Sequence, residues 1–200
     1  MTLRGVLLLL LVVSGLATAE TGDRVLVKVA SVTTETRAGK SWTLLAGRVE
    51  ATTDLPLARL VPVITDWAAY PRLFPKIKTL EATDGSVAFL TETTEVTVLG
   101  FSVRNRFTLR VVTTGTPPGP VSIHWTQEKT DGTIEALEGG WELVPTGVGG
   151  SGTIIRYHTV SSVPEGFPGQ AGVVGWFFPG ELKQIVASVL AEARQRKEKP

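Results

Sequence analysis

Between Arg24 and Val163 apolar and polar residues alternate in short runs, and helical spacing interrupts them once. Val25, Val27 and Val29 fall on one side of a first run, which predicts a strand over 24–32. Residues 35–40, with Gly39, read as a turn, and 41–51 as a second strand, so a hairpin opens the pattern. Leu57, Leu60, Val61 and Ile64 then recur at helical spacing, with Asp54 as the expected N-cap. Pro62 lies inside that run and predicts a kink or a second helix start. Six further strands are expected over 77–82, 87–99, 101–114, 121–129, 134–144 and 153–163. Asp84-Gly85, Gly100, Pro117–Pro120, Asp131-Gly132 and Gly147–Gly150 punctuate them, and short links of this kind imply an antiparallel meander. A last helix is expected from Glu181, because Leu182, Ile185, Val186, Val189, Leu190 and Ala193 form one apolar stripe. Lys183, Gln184, Ser188, Glu192 and Arg196 take its other faces.

Asp66-Trp67-Ala68-Ala69-Tyr70-Pro71-Arg72-Leu73-Phe74-Pro75 stands between the helical run and the meander. Pro71 and Pro75 confine it to short turns, and Trp67, Tyr70 and Phe74 share one side of them. This stretch resembles the broken-helix signature of the START-like (SRPBCC) superfamily, in its polyketide cyclase and coenzyme Q-binding branch. Leu137–Leu143, followed by Gly152–Tyr157, and the proline-led last helix extend the resemblance over 44–196. It implies an α+β helix-grip fold: a curved antiparallel sheet wrapped around a long C-terminal helix, with two short helices after the first strand. The expected division is a leader over 1–19, a strand or hairpin extension over 20–43 and a START-like domain over 44–197.

The leader is read from Arg4, the apolar run 5–13 and the Ala17-Thr18-Ala19 site, which together make a signal peptide cleaved before Glu20. The apolar run is shorter than the roughly 20 residues of a spanning helix. An exported, periplasmic or secreted protein is therefore expected. Without Arg4 the chain carries 19 basic and 19 acidic residues, so no basic excess attracts a phosphate backbone and nucleic acid is not an expected partner. The basic tail from Arg194 to Lys199 reads as a solvated helix end. There is no cysteine, which removes thiol chemistry, disulfides and cysteine-based zinc sites.

Strand parity defines a candidate interior. Phe101, Val103, Phe107, Leu109 and Val111 share a side, with Asn105 among them; Trp125 and Gln127 share another, as do Leu137 and Trp141, and Ile155 and Tyr157. Mostly apolar walls with a few polar groups suit a ligand pocket. The candidate lining is Tyr70, Phe74, Phe89, Asn105, Phe107, Trp125, Gln127, Trp141, Tyr157, Trp176 and Phe177. The same residues would equally fill a dry core. Trp176-Phe177-Phe178 reads as a loop tip, serving as a gate, a membrane contact or a plug.

Catalytic chemistry is thinly represented. His124 and His158 face away from the apolar sides of their strands, and two histidines do not make a metal site. Glu92, Glu128, Glu135 and Glu142 read as solvated, whereas Glu95 and Glu138 share parity with apolar neighbours and are the candidate pocket acids. The Gly147–Gly152 run lacks the lysine and helix of a phosphate loop. The expectation is a monomeric, non-enzymatic carrier of a lipid, isoprenoid or quinone-like molecule, with transient membrane contact and without cofactor or metal. A cyclase or dehydratase-type enzyme and an envelope interaction module are the alternatives.

Overall fold

The computed structural model describes residues 22–83, 85, 87–98, 101–131, 134–166 and 169–196, with the side chains of 96–98 and 101–103 excepted. The predicted signal peptide, the inward assignment of Phe101 and Val103, and the tail beyond Arg196 lie outside what is described. Eight strands form one antiparallel sheet: β1 (Arg24–Arg37), β2 (Lys40–Thr53), β3 (Ile77–Ala82), β4 (Val87–Val98), β5 (Phe101–Thr114), β6 (Val121–Thr130), β7 (Ala136–Thr146) and β8 (Gly152–Pro164). Their order is β1-β2-β8-β7-β6-β5-β4-β3, so the expected meander runs from β3 to β8 and the opening hairpin docks on β8. β2 pairs with β1 along one edge and with β8 along the other, from Trp42 to Thr53, so the sheet is continuous across residues 43 and 44.

Curvature comes from irregular register. The pairing skips Lys28 in β1, Lys78 in β3 and Glu128 in β6. One extra residue on one strand bends that strand and increases its twist. The resulting concavity is occupied by α3 (Gln170–Gln195), whose Leu182, Val186, Val189, Leu190 and Ala193 are buried. Gly47 of β2 admits the helix: a methyl group there would lie 2.5 Å from Leu182 Cδ2.

The last helix begins about three turns before the expected start at Glu181. Gly172, Gly175, Pro179 and Gly180 suggested a loop, but tertiary contacts hold the segment helical. Gln170 ties its first turn down, accepting from Gly166 N and donating to Thr43 Oγ1 and Pro164 O. Gly175 faces Val32 of β1. Trp176 and Phe177 are therefore helical residues and not a loop tip.

Two short helices, α1 (Leu57–Ile64) and α2 (Tyr70–Leu73), flank a 3-10 turn at Trp67–Ala69. Asp54 does not cap α1; the N-cap is Pro56, and Asp54 pairs with Arg194 instead. The helix also continues through Pro62, whose missing N–H falls one turn from the end and removes a single intrahelical bond.

The charged end of α3 is a clasp and not a solvated tail. Glu192, expected on an open face, is buried and accepts two hydrogen bonds from Arg72 of α2, at 2.6 and 2.8 Å, and one from Arg196 Nε at 2.9 Å. Arg196 also binds Asp66 at 2.6 Å, and Arg194 joins Asp23 and Asp54. These donors hold the Glu192 carboxyl far below the ordinary carboxylate range, with Arg72 the largest contributor. The broken helix is thus fixed against the end of α3.

Candidate functional site: a cavity between sheet and helix

The clasp leaves a space beneath it. A cavity of about 570 Å³ lies between the sheet and α3. Leu90 and Glu92 of β4, Leu109 and Val111 of β5, Ile123 and Trp125 of β6, Leu137 and Trp141 of β7, and Tyr157 and Thr159 of β8 form its floor. Glu181, Gln184, Ile185 and Ser188 of α3 cover it. Residues Trp67, Tyr70, Leu73 and Phe74 through Ile77 wall one end, where Lys76 pairs with Glu181 across the rim.

The aromatic side chains form two groups. Tyr70 meets Trp67 and Phe74 edge-on at ring separations of 5.1 and 5.0 Å. Tyr157 packs between Trp125 and Trp141 at 5.9 and 4.6 Å. Gly139 makes room for the second group, since a methyl group there would lie 2.5 Å from Trp125 Cζ2. Tyr70 donates its hydroxyl to Ile64 O at 2.6 Å, which satisfies it inside the protein.

Five of the expected lining residues meet here: Tyr70, Phe74, Trp125, Trp141 and Tyr157. The other six do not line the cavity. Phe107 is buried in the core beyond it. Asn105 is buried too, with its Nδ2 3.4 Å from Thr94 Oγ1, so neighbouring polar groups account for it. Gln127 donates to Ile134 O at 3.1 Å, while its Oε1 is buried without a partner among the described residues. Phe89 lies on the outer face, 40% exposed, because its neighbours Ala88 and Leu90 are the inward residues of β4. Trp176 and Phe177 are 84% and 47% exposed on α3; of that triplet only Phe178 turns into the core.

The pocket acid is neither of those expected. Glu95 pairs with Arg104 at 3.4 Å, and Glu138 is exposed. Glu92, read as solvated, is only 6% exposed and lines the cavity. Pairing with β5 decides this: Leu90 sits opposite Leu109 and Glu92 opposite Phe107, and those partners face inward. Counting back from the Val98–Phe101 pair would have found it. Burial pushes the Glu92 carboxyl up to about 7. Burial likewise raises the Tyr157 hydroxyl, with Glu92 adding to the effect against an opposing hydrogen bond from Thr159. Tyr70 is raised by burial and then by Glu92. Both phenols stay protonated near neutral pH, and the carboxyl titrates there.

On the opposite face His124 and His158 flank Gly140 with their rings stacked 6.1 Å apart. Burial first, and His124 second, lower the His158 pKa. Among the described residues no three His, Cys, Asp or Glu side chains gather as a metal site.

The fold recurs in solved structures. A STAR-related lipid transfer protein from Xanthomonas axonopodis superposes with a TM-score of 0.59 at 11% identity, covering 83% of this chain and 99% of that one. Human StAR-related lipid transfer protein 5 gives 0.56 at 10% identity, covering 82% and 86%. The Zhui aromatase/cyclase from Streptomyces sp. R1128 gives 0.52 at 18% identity, covering 76% and 95%. At these identities the likeness is one of fold. No curated protein matches the sequence. The family model described as polyketide cyclase / dehydrase and lipid transport matches residues 53–190, from the end of β2 to the clasped half of α3. The chain belongs to that family, within the START-like superfamily.

Proposed function

We propose that this protein is an exported, non-enzymatic carrier of a hydrophobic small molecule held between the sheet and α3. The cavity carries the reading. Protein interiors pack with few voids larger than a water molecule, whereas about 570 Å³ lies within the range of small-molecule sites. Its walls are mainly aromatic and aliphatic, which suits a lipid, isoprenoid or quinone-like body. The Ala17-Thr18-Ala19 site supports export, and the exposed Trp176 and Phe177 suit transient contact with a membrane during loading. Native mass spectrometry of protein purified without detergent tests the reading. A bound apolar molecule that denaturation releases is expected. A bare chain whose melting temperature no lipid extract shifts would contradict it.

One observation favours a second reading, an enzyme of the cyclase or dehydratase type. Glu92 is a buried acid that titrates near 7 and lines the cavity together with Tyr157, and such a group can act as a general base. Turnover of a polyketide-like poly-ketone by the wild type, abolished in Glu92→Gln, would establish it; unchanged turnover in that variant would remove it.

A further inference from the structure

We propose that the cavity selects hydrophobic amines, with the apolar body against the aromatic walls and the ammonium group on the Glu92 carboxyl. The inference rests on the cavity being a ligand site, and names the chemistry of the ligand.

Glu92 is a buried acid in the cavity wall to which no described residue supplies a counter-charge. Among the described residues no cation and no hydrogen-bond donor reaches its carboxyl. Lys76, which lines the cavity, is engaged with Glu181 at the rim, while Arg72 is held by Glu192 in the clasp and Arg104 pairs with Glu95 on the outer face. Tyr70 spends its hydroxyl proton on Ile64 O. A buried carboxyl left alone is costly, and an approaching cation stabilises its charged form.

The surroundings favour the same partner. Glu92 lines the same cavity as both aromatic groups, and its charge acts on Tyr70 and on Tyr157. A cation within about 6 Å of a ring face is attracted by the ring quadrupole, so these walls favour an ammonium as well as an alkyl chain. A carboxylate or phosphate at the same depth would meet a like charge, which is a means of rejecting it.

Tryptophan-fluorescence titration of the full folded protein with decylamine, 1-decanol and decanoate at pH 7.5 tests the inference. At that pH an alkylamine is protonated, as an ordinary lysine is. Decylamine is expected to bind at least about tenfold more tightly than decanol, and decanoate more weakly than either. Glu92→Gln is expected to abolish the amine's advantage over decanol. Equal binding of amine and alcohol to the wild type, or an amine advantage that survives in Glu92→Gln, overturns the inference and leaves the carrier reading standing. Failure of all three probes to bind overturns both.

Discussion

Replacing Glu92 with glutamine should stabilise this protein, by an amount that depends on pH. The displacement of its carboxyl from 4.5 to about 7 corresponds, at 1.36 kcal/mol per pKa unit, to about 3 kcal/mol of penalty on the charged form. Between those two values the folded state retains a proton that the unfolded chain has released. Stability therefore falls as pH rises through the interval, and the whole penalty is present above 7. Glutamine has the same shape and no charge at any pH. The stability difference between variant and wild type should be near zero at pH 4 and approach about 3 kcal/mol at pH 8. Urea denaturation followed by circular dichroism at both pH values measures it. Glu192 and His158 also titrate, but they are common to both proteins and cancel in the difference. A variant no more stable relative to wild type at pH 8 than at pH 4 would show that the carboxyl is hydrated or paired, and not a buried charge without a partner.

Glu192→Gln should destabilise the protein by about 1–3 kcal/mol at neutral pH, since it leaves Arg72 without its anion and Arg196 with Asp66 alone. Because the Glu192 carboxyl is depressed, this contribution is present above pH 4.5 and lost on acidification toward 2, opposite in sign to that of Glu92. Gly139→Ala should press on both the Trp125 ring and the His158 carbonyl oxygen, each 2.5 Å from the added methyl, costing about 1–3 kcal/mol of stability by urea denaturation and weakening any bound alkyl probe. Trp141→Ala should leave a folded protein with altered probe binding, at the lower end of the ~3–5 kcal/mol of an aromatic core truncation, because part of its ring already borders empty space. Complete unfolding of that variant would favour a filled core.

The architecture was legible wherever a period was unopposed. The alternation from 87 to 163 and the Leu182–Ala193 stripe each admit one partner, a sheet and a helix that cover each other. The first half of α3 was not legible, because Gly172, Gly175 and Pro179 argue locally for a loop and are outweighed by tertiary contacts, among them those of Gln170, Gly175 with Val32, and Phe178. The clasp was hidden for a similar reason: Glu192, Arg194 and Arg196 look like a solvated end until Arg72, Asp66, Asp54 and Asp23 arrive from elsewhere in the chain. In the site, Trp125, Trp141 and Tyr157 were found by parity, since Ile123, Leu143 and Ile155, two positions away on the same side of each strand, are apolar and buried as well. β4 is apolar on both sides, with Val87 and Phe89 against Ala88 and Leu90, so parity alone picked the wrong face and with it the wrong acid. Register against β5 was the missing constraint.

The claim at the centre is that the space beneath α3 is a ligand site and not an unfilled core. A high-resolution crystal structure of the protein, purified without detergent and soaked with decylamine, tests it most directly. Continuous density is expected between Trp125, Trp141 and Ile185, with its polar end on Glu92. A cavity collapsed around Phe74 and Ile185, with no density between them, would contradict it.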